Sequence, residues 1–288
     1  MVTLAGLDQY KTAGYSTICL GIFDGMHRGH REVMAGADAV VTCDPHPQTV
    51  LQQTPVERLT LVSEQALFGP HVVVIPFNEQ VANLDPRTFL DAIIGSQLAP
   101  KQITVGYDFR FGKHAAGTVE TLRDWGQAND CRVIVVPPVY DADRPIKSRD
   151  IRIYIKTDPN RAIALLGHPY PLMGTVVLGE QRGRTWGFPT ANMRLDPHKC
   201  LPRWGVYAGW VPLDQKRLRA IIYIGRKPSF DGQFPQPEVH ILDGFSGDLY
   251  GTLLTVYLER FIRDEQYFSS QSDLRRQIQA DIDNCLLL

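Results

Sequence analysis

Residues 21–30, GIFDGMHRGH, follow the apolar run at 16–20 and lead, through a polar stretch, to a second β-rich run at 39–43. An apolar, β-branched run that breaks into glycines and histidines and resumes as a polar helix start is a strand delivering a loop to a helix N-terminus. Such a junction attracts anions. The N–H groups of a first helical turn have no intrahelical acceptor, and the helix dipole puts positive potential beside them. Gly25 and Gly29 lack a Cβ and let the backbone come close to a bulky ligand. His27 and His30 are three residues apart at the helix start, so both rings can reach the same side and donate to phosphate oxygens. Gly21, Phe23 and Asp24 complete the loop and are taken with it as phosphate-binding positions.

The rest of the chain bounds what that loop can serve. At 288 residues with 44% hydrophobic content there is room for two domains of ordinary size. The 30 basic residues balance 31 acidic ones, which leaves no electrostatic footprint for nucleic acid or an anionic membrane. Small molecules are the expected partners. Cys19, Cys43, Cys131, Cys200 and Cys285 are scattered, odd in number and without a CxxC pair, as expected of buried thiols in a reducing cytoplasm. No signal pattern opens the sequence and no apolar run nears the roughly twenty residues that span a bilayer, so a cytoplasmic location is expected.

Residues 1–136 alternate β-rich runs at 15–20, 39–43, 71–75, 102–105 and 131–136 with helical patterns after Ser63, Asp85 and Thr118. This is the pattern of a parallel sheet covered by helices, in which ligands gather at the C-terminal strand ends. Polar loops sit at those ends: GIFDGMHRGH, then DPHP (44–47), then GYDFRFG (106–112). The crossover from Gly29 to Ala39 leaves about two turns of helix, near the lower limit for such a connection. A helix that short is expected to leave part of the sheet thinly covered.

The Pro- and charge-rich segment 137–150 ends this pattern. Asp158-Pro159 then opens a short apolar helix that stops at Gly167. The domain boundary is placed between residues 157 and 158. Beyond it, β-runs at 174–179, 205–211, 220–224, 237–242 and 252–261 are separated by turns, as in an antiparallel barrel or sandwich. A final helix, capped by Ser272, carries Leu274, Ile278, Ile282 and Cys285 on one face. Within this half, GEQRGRTWGFPTAN (179–192) has the glycines and arginines that suit polyphosphate: Gly179, Arg182, Gly183 and Arg184, with Gly174 just before them. Thr190 and Asn192, two apart on an extended segment, project to one side and can approach a single magnesium ion. Taken alone, a PTAN tetrapeptide is more often a plain turn than a metal site.

The two halves together resemble a known family. GIFDGMHRGH resembles the HxGH signature of nucleotidyltransferases, in the GxFDGxHxGH form of the N-terminal module of bacterial bifunctional riboflavin kinase/FAD synthetases. GFPTAN, GVYAGW (205–210), IGRKPSF (224–230), EVHILDGFSGDLYG (238–251) and FIRDEQYF (261–268) resemble the riboflavin kinase domain of the same family. The resemblance implies an α/β plus β fold: a Rossmann-like nucleotidyltransferase domain over 1–157, then a six-stranded antiparallel Greek-key barrel with a C-terminal helix over 158–288. It implies two reactions, phosphorylation of riboflavin to FMN and adenylylation of FMN to FAD with release of pyrophosphate, with ATP as co-substrate and magnesium as cofactor.

By the same resemblance Glu238 is the general base of the kinase, Thr190 and Asn192 hold its metal, and Arg263 and Glu265 lie on the flavin side. Asp44, His46, Asp108 and Phe109 line the nucleotide and flavin side of the first module. Ser148 and Arg152 match an SSTRIR-like phosphate motif, where this chain reads KSRDIR (147–152). There Arg149 replaces a threonine and Asp150 an arginine, and a carboxylate beside a triphosphate opposes binding. Lys147 and Arg149 restore positive charge nearby. Elsewhere Ile22 and Tyr223 stand where the family has asparagine, and Arg226-Lys227 replaces Thr-Arg. Two rivals stay open at this level: a riboflavin kinase whose first module is only a scaffold, and a non-catalytic flavin- or nucleotide-binding regulator.

Overall fold

In a computed structural model of the chain, residues 14–179, 187–225, 236–245 and 247–286 are described. Arg182, Gly183, Arg184 and the Arg226-Lys227 pair lie outside them. The chain divides into two compact units, one running to Ser148 and the other from Arg149.

In the first unit the apolar run after Tyr15 forms β1 (Thr17–Leu20), joined by α1 (Arg28–Met34) to β2 (Ala39–Asp44). There follow α2 (Pro47–Gln52), α3 (Val62–Gln65), β3 (His71–Pro76) and α4 (Glu79–Ala82). Next come α5 (Pro86–Phe89), which runs on as a wider π-type turn, β4 (Gln102–Gly106), α6 (Val119–Ala128) and β5 (Arg132–Val136). The strands fall within a residue or two of the expected runs. All pair in parallel, in the order β3-β2-β1-β4-β5. The order reverses between β1 and β4, so the loops leaving these two strands flank the crevice where such sheets take ligands. Those loops are 21–30 and the start of GYDFRFG.

Side chains alternate along β1 and β2, and these central strands are buried on both faces. On one face Ile18 and Val41 pack with Ile93, Ile103 and Leu122. On the other, Cys19 and Val40 meet Val33 and Met34 from α1. That helix has only seven residues, and the loop ahead of it makes up the cover: Phe23 and Met26 are 2% and 0% exposed in the same cluster. After β5 the chain forms a two-stranded ribbon, β6 (Tyr140–Asp141) and β7 (Arg144–Pro145).

α7 (Ser148–Thr157) begins at the division between the units, so the boundary expected at 157/158 lies at its far end. From Arg149 onward the helix belongs to the second unit. Its Ile155 carbonyl accepts from the Arg203 N–H at 2.8 Å, and its Thr157 carbonyl accepts from Arg203 Nη1 at 2.9 Å. α8 (Pro159–Leu166) starts as expected, with the Asp158 carboxylate accepting from the Arg161 N–H, and ends at Gly167 with φ 74°.

The remaining strands are β8 (Tyr170–Val177), β9 (Ala191–Leu195), β10 (Gly205–Leu213), β11 (Lys216–Ile224), β12 (Glu238–Ile241) and β13 (Leu253–Asp264). They close an antiparallel barrel in the order β10-β11-β12-β9-β8-β13. Gly174, expected at the phosphates, serves this closure: a Cβ there would lie 2.5 Å from the Arg194 carbonyl oxygen on β9.

The C-terminal helix, Gln271–Leu286, lays Ile282 and Cys285 on Val206, Ala208 and Ile221. Its N-terminal cap is Ser270 rather than the expected Ser272, because the Ser270 hydroxyl accepts from the Asp273 N–H at 3.1 Å. The helix is held to β13 by a buried ion pair. Arg263 donates Nε to Asp281 Oδ1 at 2.9 Å and Nη2 to Oδ2 at 2.7 Å, with side-chain exposures of 16% and 3%. Breaking one side of such a pair strands the other charge in a poorly hydrated place, at a typical cost of about 3–5 kcal/mol. Asp281→Ala is therefore expected to lower stability by about that much in urea titrations, and Asp281→Asn, which keeps one acceptor, by clearly less.

Candidate active sites

The first site is built on a strained loop. Phe23, Gly25 and Met26 have φ of 53°, 90° and 46°, a region natural for glycine and costly for the other two. The burial of Phe23 and Met26 holds them there. Around them the loop is fastened at each polar group: the Ile22 carbonyl accepts from Thr42 Oγ1 at 3.2 Å and Gln65 Nε2 at 2.9 Å. The Asp24 carbonyl accepts from the Ser148 hydroxyl at 2.7 Å. The Asp24 carboxylate, 2% exposed, accepts from the Thr60 N–H at 3.0 Å. Phe23, Asp24 and Ser148 thus stand behind the loop and shape it. Thr42, Thr60 and Gln65 carried no signal in the sequence, since Thr42 and Gln65 act on a backbone carbonyl, and Thr60 through its own N–H on a carboxylate, far along the chain.

His27 caps α1, its Nδ1 accepting from the His30 N–H at 3.3 Å, which leaves the proton of a neutral His27 ring on Nε2. The two imidazoles stack with centroids 3.6 Å apart, and Phe23 stands edge-on to His30 at 5.4 Å. Burial first, and the neighbouring His27 second, hold the His30 imidazole well below its ordinary value, so it is uncharged at pH 7. Its Nδ1 is buried without a hydrogen-bond partner, a polar atom that a ligand oxygen would satisfy.

Both histidines line a cleft of about 170 Å³ together with Gly29, Tyr107, Asp108, Lys147 and Ser148. At its edge Lys147 Nζ donates to Asp108 Oδ2 at 2.7 Å and lies 5.3 Å from the Tyr107 ring centre. The hydrogen bond to Asp108 raises the lysine above its usual range. Of the expected positions, then, His27, Gly29, His30, Asp108 and Ser148 meet in one place.

Others lie elsewhere. His46 is 9% exposed and caps α2, its Nδ1 accepting from the Gln48 N–H at 3.2 Å. Asp44 accepts from Arg58 at 3.0 Å, and Phe109 stacks on Phe111 at 5.5 Å. Arg152 falls on α7 in the second unit, where Arg149 pairs with Asp150 at 3.6 Å.

The second site lies on the barrel wall. β12 pairs with β9 so that Glu238 is opposite Asn192, and with β11 so that Glu238 is opposite Tyr223. Thr190 donates its hydroxyl to Glu238 Oε2 at 3.3 Å. Thr190, Asn192 and Glu238, 48 residues apart at the extremes of that bond, are brought together by strand register alone. Gly179 makes room for them: a Cβ there would be 2.1 Å from Asn192 Nδ2. The Pro189 carbonyl is held by the His240 ring through Nδ1 at 2.8 Å, and Phe188 packs edge-on to the same ring at 5.6 Å. Tyr223 donates its hydroxyl to Glu265, and burial, with that carboxylate, pushes the phenol far above its usual value. It remains a donor. Arg263 faces the C-terminal helix through Asp281, as described above. His240 and Tyr223 were not singled out as site residues by sequence reasoning; their parts are visible only in cross-strand register.

Comparison with known proteins matches both units. The family model for FAD synthetase matches residues 10–150 and that for riboflavin kinase residues 166–287. A Bacillus subtilis protein named bifunctional riboflavin kinase/FMN adenylyltransferase is 35% identical over 92% of this chain and 90% of its own length. An Escherichia coli K12 protein of the same name is 34% identical over 92% and 90%. A crystal structure described as a macrolide-efflux protein from Streptococcus pneumoniae superposes with a TM-score of 0.80 at 32% identity, covering 96% of this chain and 95% of that one. Among the described residues no helix is long and apolar enough to cross a membrane.

His30 generates a pH prediction. Its folded value lies below the unfolded 6.5, so between the two the unfolded chain binds more protons and stability rises with pH. Stability is then lost as pH falls below about 6.5, at up to about 1.4 kcal/mol per pH unit from this group. His30→Gln is expected to flatten the dependence of thermal unfolding between about pH 7 and pH 5 relative to the parent, since it removes the group that titrates there.

Proposed function

The chain belongs to the family of bifunctional riboflavin kinase/FMN adenylyltransferases, and on that footing we propose that it carries out both reactions, each in its own compact unit. The observation that carries this reading is that two separate constellations exist. A hydroxyl, an amide and a carboxylate meet on the barrel wall in the second unit, and a loop-and-histidine cleft lies at the switch point of the parallel sheet in the first.

In the barrel, riboflavin and ATP give FMN and ADP. The Glu238 carboxylate accepts the proton of the ribityl 5′-hydroxyl as that oxygen attacks the γ-phosphorus of ATP, and the bond to the β-phosphate oxygen breaks. The Thr190 hydroxyl, hydrogen-bonded to Glu238, orients the base. Magnesium is the metal proposed here. Thr190 and Asn192 offer hard oxygen donors beside a carboxylate, the chemistry this ion takes together with phosphate oxygens, and they would hold it where it would supply positive charge to the transferring group. Glu265, which accepts from the protonated Tyr223 hydroxyl, is our candidate for contact with the flavin.

In the first unit, FMN and ATP give FAD and pyrophosphate. The nucleophile is already an anionic phosphate, so alignment and charge neutralisation are sufficient and no base is required. The loop N–H groups and the imidazoles of His27 and His30 are suited to phosphate oxygens. The partners are riboflavin, FMN and ATP. A cytoplasmic setting accords with this ATP-dependent chemistry and with the burial of Cys19, Cys131, Cys200 and Cys285.

The test is chromatographic separation of flavins after incubating the pure protein with magnesium-ATP and either riboflavin or FMN. FMN from the first substrate and FAD from the second are expected; FMN without any FAD would sink the bifunctional reading. Glu238→Gln is expected to cut FMN formation by about 10²–10⁴ while leaving FAD formation from FMN in place. Gly179→Ala, by pushing the buried Asn192 amide aside, is expected to impair phosphorylation of riboflavin and to spare adenylyl transfer from FMN in the same separation of flavins.

A further inference from the structure

We propose that Lys147 is the cation that neutralises the phosphates of ATP during adenylyl transfer, held beside the cleft by Asp108 until the nucleotide takes Asp108's place. The proposal rests on the adenylyltransferase reading of the first unit and adds a residue to it.

Charge in the cleft singles this lysine out. Among the described residues that line it, Lys147 is the one lysine or arginine. His30 is uncharged at neutral pH, because burial and His27 both disfavour its cation. The loop contributes dipoles rather than a full charge, and Asp108 brings a negative one. A nucleotide triphosphate entering this space would meet a carboxylate and a neutral ring were it not for Lys147.

Position and mobility fit the task. The ammonium is 2.7 Å from Asp108 Oδ2, with side-chain exposures of 43% and 54%, so the pair is open to solvent at the cleft edge and weakly held. Lysine is a point charge on a flexible four-carbon stem with three donors. It can leave a carboxylate for phosphate oxygens by rotating that stem, with the backbone fixed. Its neighbour Ser148 is tied to the Asp24 carbonyl at 2.7 Å, which pins the residue after Lys147 to the phosphate loop. The other cations of this stretch, Arg149 and Arg152, belong to the second unit and are not among the residues that line the cleft.

The chemistry needs such a group. An FMN phosphate oxygen attacks the α-phosphorus of ATP and forms the new O–P bond. The bond from that phosphorus to the bridging oxygen breaks, and its electron pair leaves on pyrophosphate. No proton is taken up or released in the displacement itself. Negative charge moves onto the leaving group, and a cation placed there stabilises the transition state more than the ground state.

The experiment compares Lys147→Met with the parent in the full-length protein, measuring FAD formation from FMN and magnesium-ATP, FMN formation from riboflavin, and binding of a non-hydrolysable ATP analogue by calorimetry. Expected is a fall of about 100-fold in kcat/KM for FAD formation, with riboflavin phosphorylation within twofold of the parent. One of the two nucleotide-binding events should weaken at least tenfold. FAD formation within threefold of the parent would overturn the proposal. A parent protein that makes no FAD would instead overturn the adenylyltransferase reading, and the calorimetric comparison would still decide for or against Lys147 as a phosphate ligand. Should the methionine variant aggregate, Lys147→Gln serves in its place with the same expected and overturning results.

Discussion

Phe23 and Met26 hold left-handed backbone, and the first unit depends on the burial that keeps them there. A non-glycine residue in this region costs of order 1–3 kcal/mol, while burying a large apolar side chain contributes about 1.5–3 kcal/mol. The two are of the same size, so burial offsets the strain that the loop's shape imposes. Three consequences follow from that shape. The chain reverses sharply enough for His27 to cap α1, the two imidazoles stack, and the carbonyls of Ile22 and Asp24 turn inward to Thr42, Gln65 and Ser148. The same two side chains complete the cover that a seven-residue helix cannot supply alone. Stability of the sheet and geometry of the site are thus set by one pair of residues.

The second unit reaches its geometry by other means. Thr190, Asn192 and Glu238 sit on or beside β9 and β12, and none of the three has left-handed backbone. Antiparallel pairing puts Glu238 opposite Asn192, and a slip of one residue would turn the carboxylate to the other face. Register is in turn protected by close approaches that only glycine permits, at Gly174 against the Arg194 carbonyl and at Gly179 against Asn192. The C-terminal helix, tied to β13 through Arg263 and Asp281, packs on β10 and β11 through Ile282 and Cys285.

What could be read from the chain follows from the range of the forces involved. The parallel strands were legible because burial on both faces demands continuous apolar runs, and the helix starts at Asp85, Thr118 and Asp158 because capping is local chemistry. His27 and His30 stood out because a short loop had to carry them. By contrast Gln65 and His240 act on backbone carbonyls of distant segments, and Thr60 meets the Asp24 carboxylate through its own N–H, and no local pattern marks them. Phe23 and Asp24 were assigned to phosphate because they belong to the loop. Their side chains in fact point to the Cys19–Val40 cluster and to the Thr60 N–H, a distinction that depends on which way a side chain leaves the backbone. Ser272 was taken as the final cap when Ser270, two residues away, serves; in a run of serines the sequence offers several caps of equal chemistry.

The contrast between the two sites has a chemical origin. Transfer of a phosphoryl group to an alcohol requires that a proton be removed, so a carboxylate must stand at a defined distance from the hydroxyl, and a strand in a closed barrel offers that rigidity. Transfer of an adenylyl group to a phosphate requires no proton movement at the attack. It requires that two anionic reactants be brought together, and the repulsion between them falls steeply with local positive potential. Backbone dipoles are suited to part of this because their orientation is fixed before the substrate arrives. A neutral, buried His30 adds a directional donor without bringing a charge that would have to be desolvated. The remaining charge has to be supplied by a side chain able to stay hydrated until the nucleotide binds, and a half-exposed lysine leaning on a carboxylate meets that requirement where a buried arginine would not.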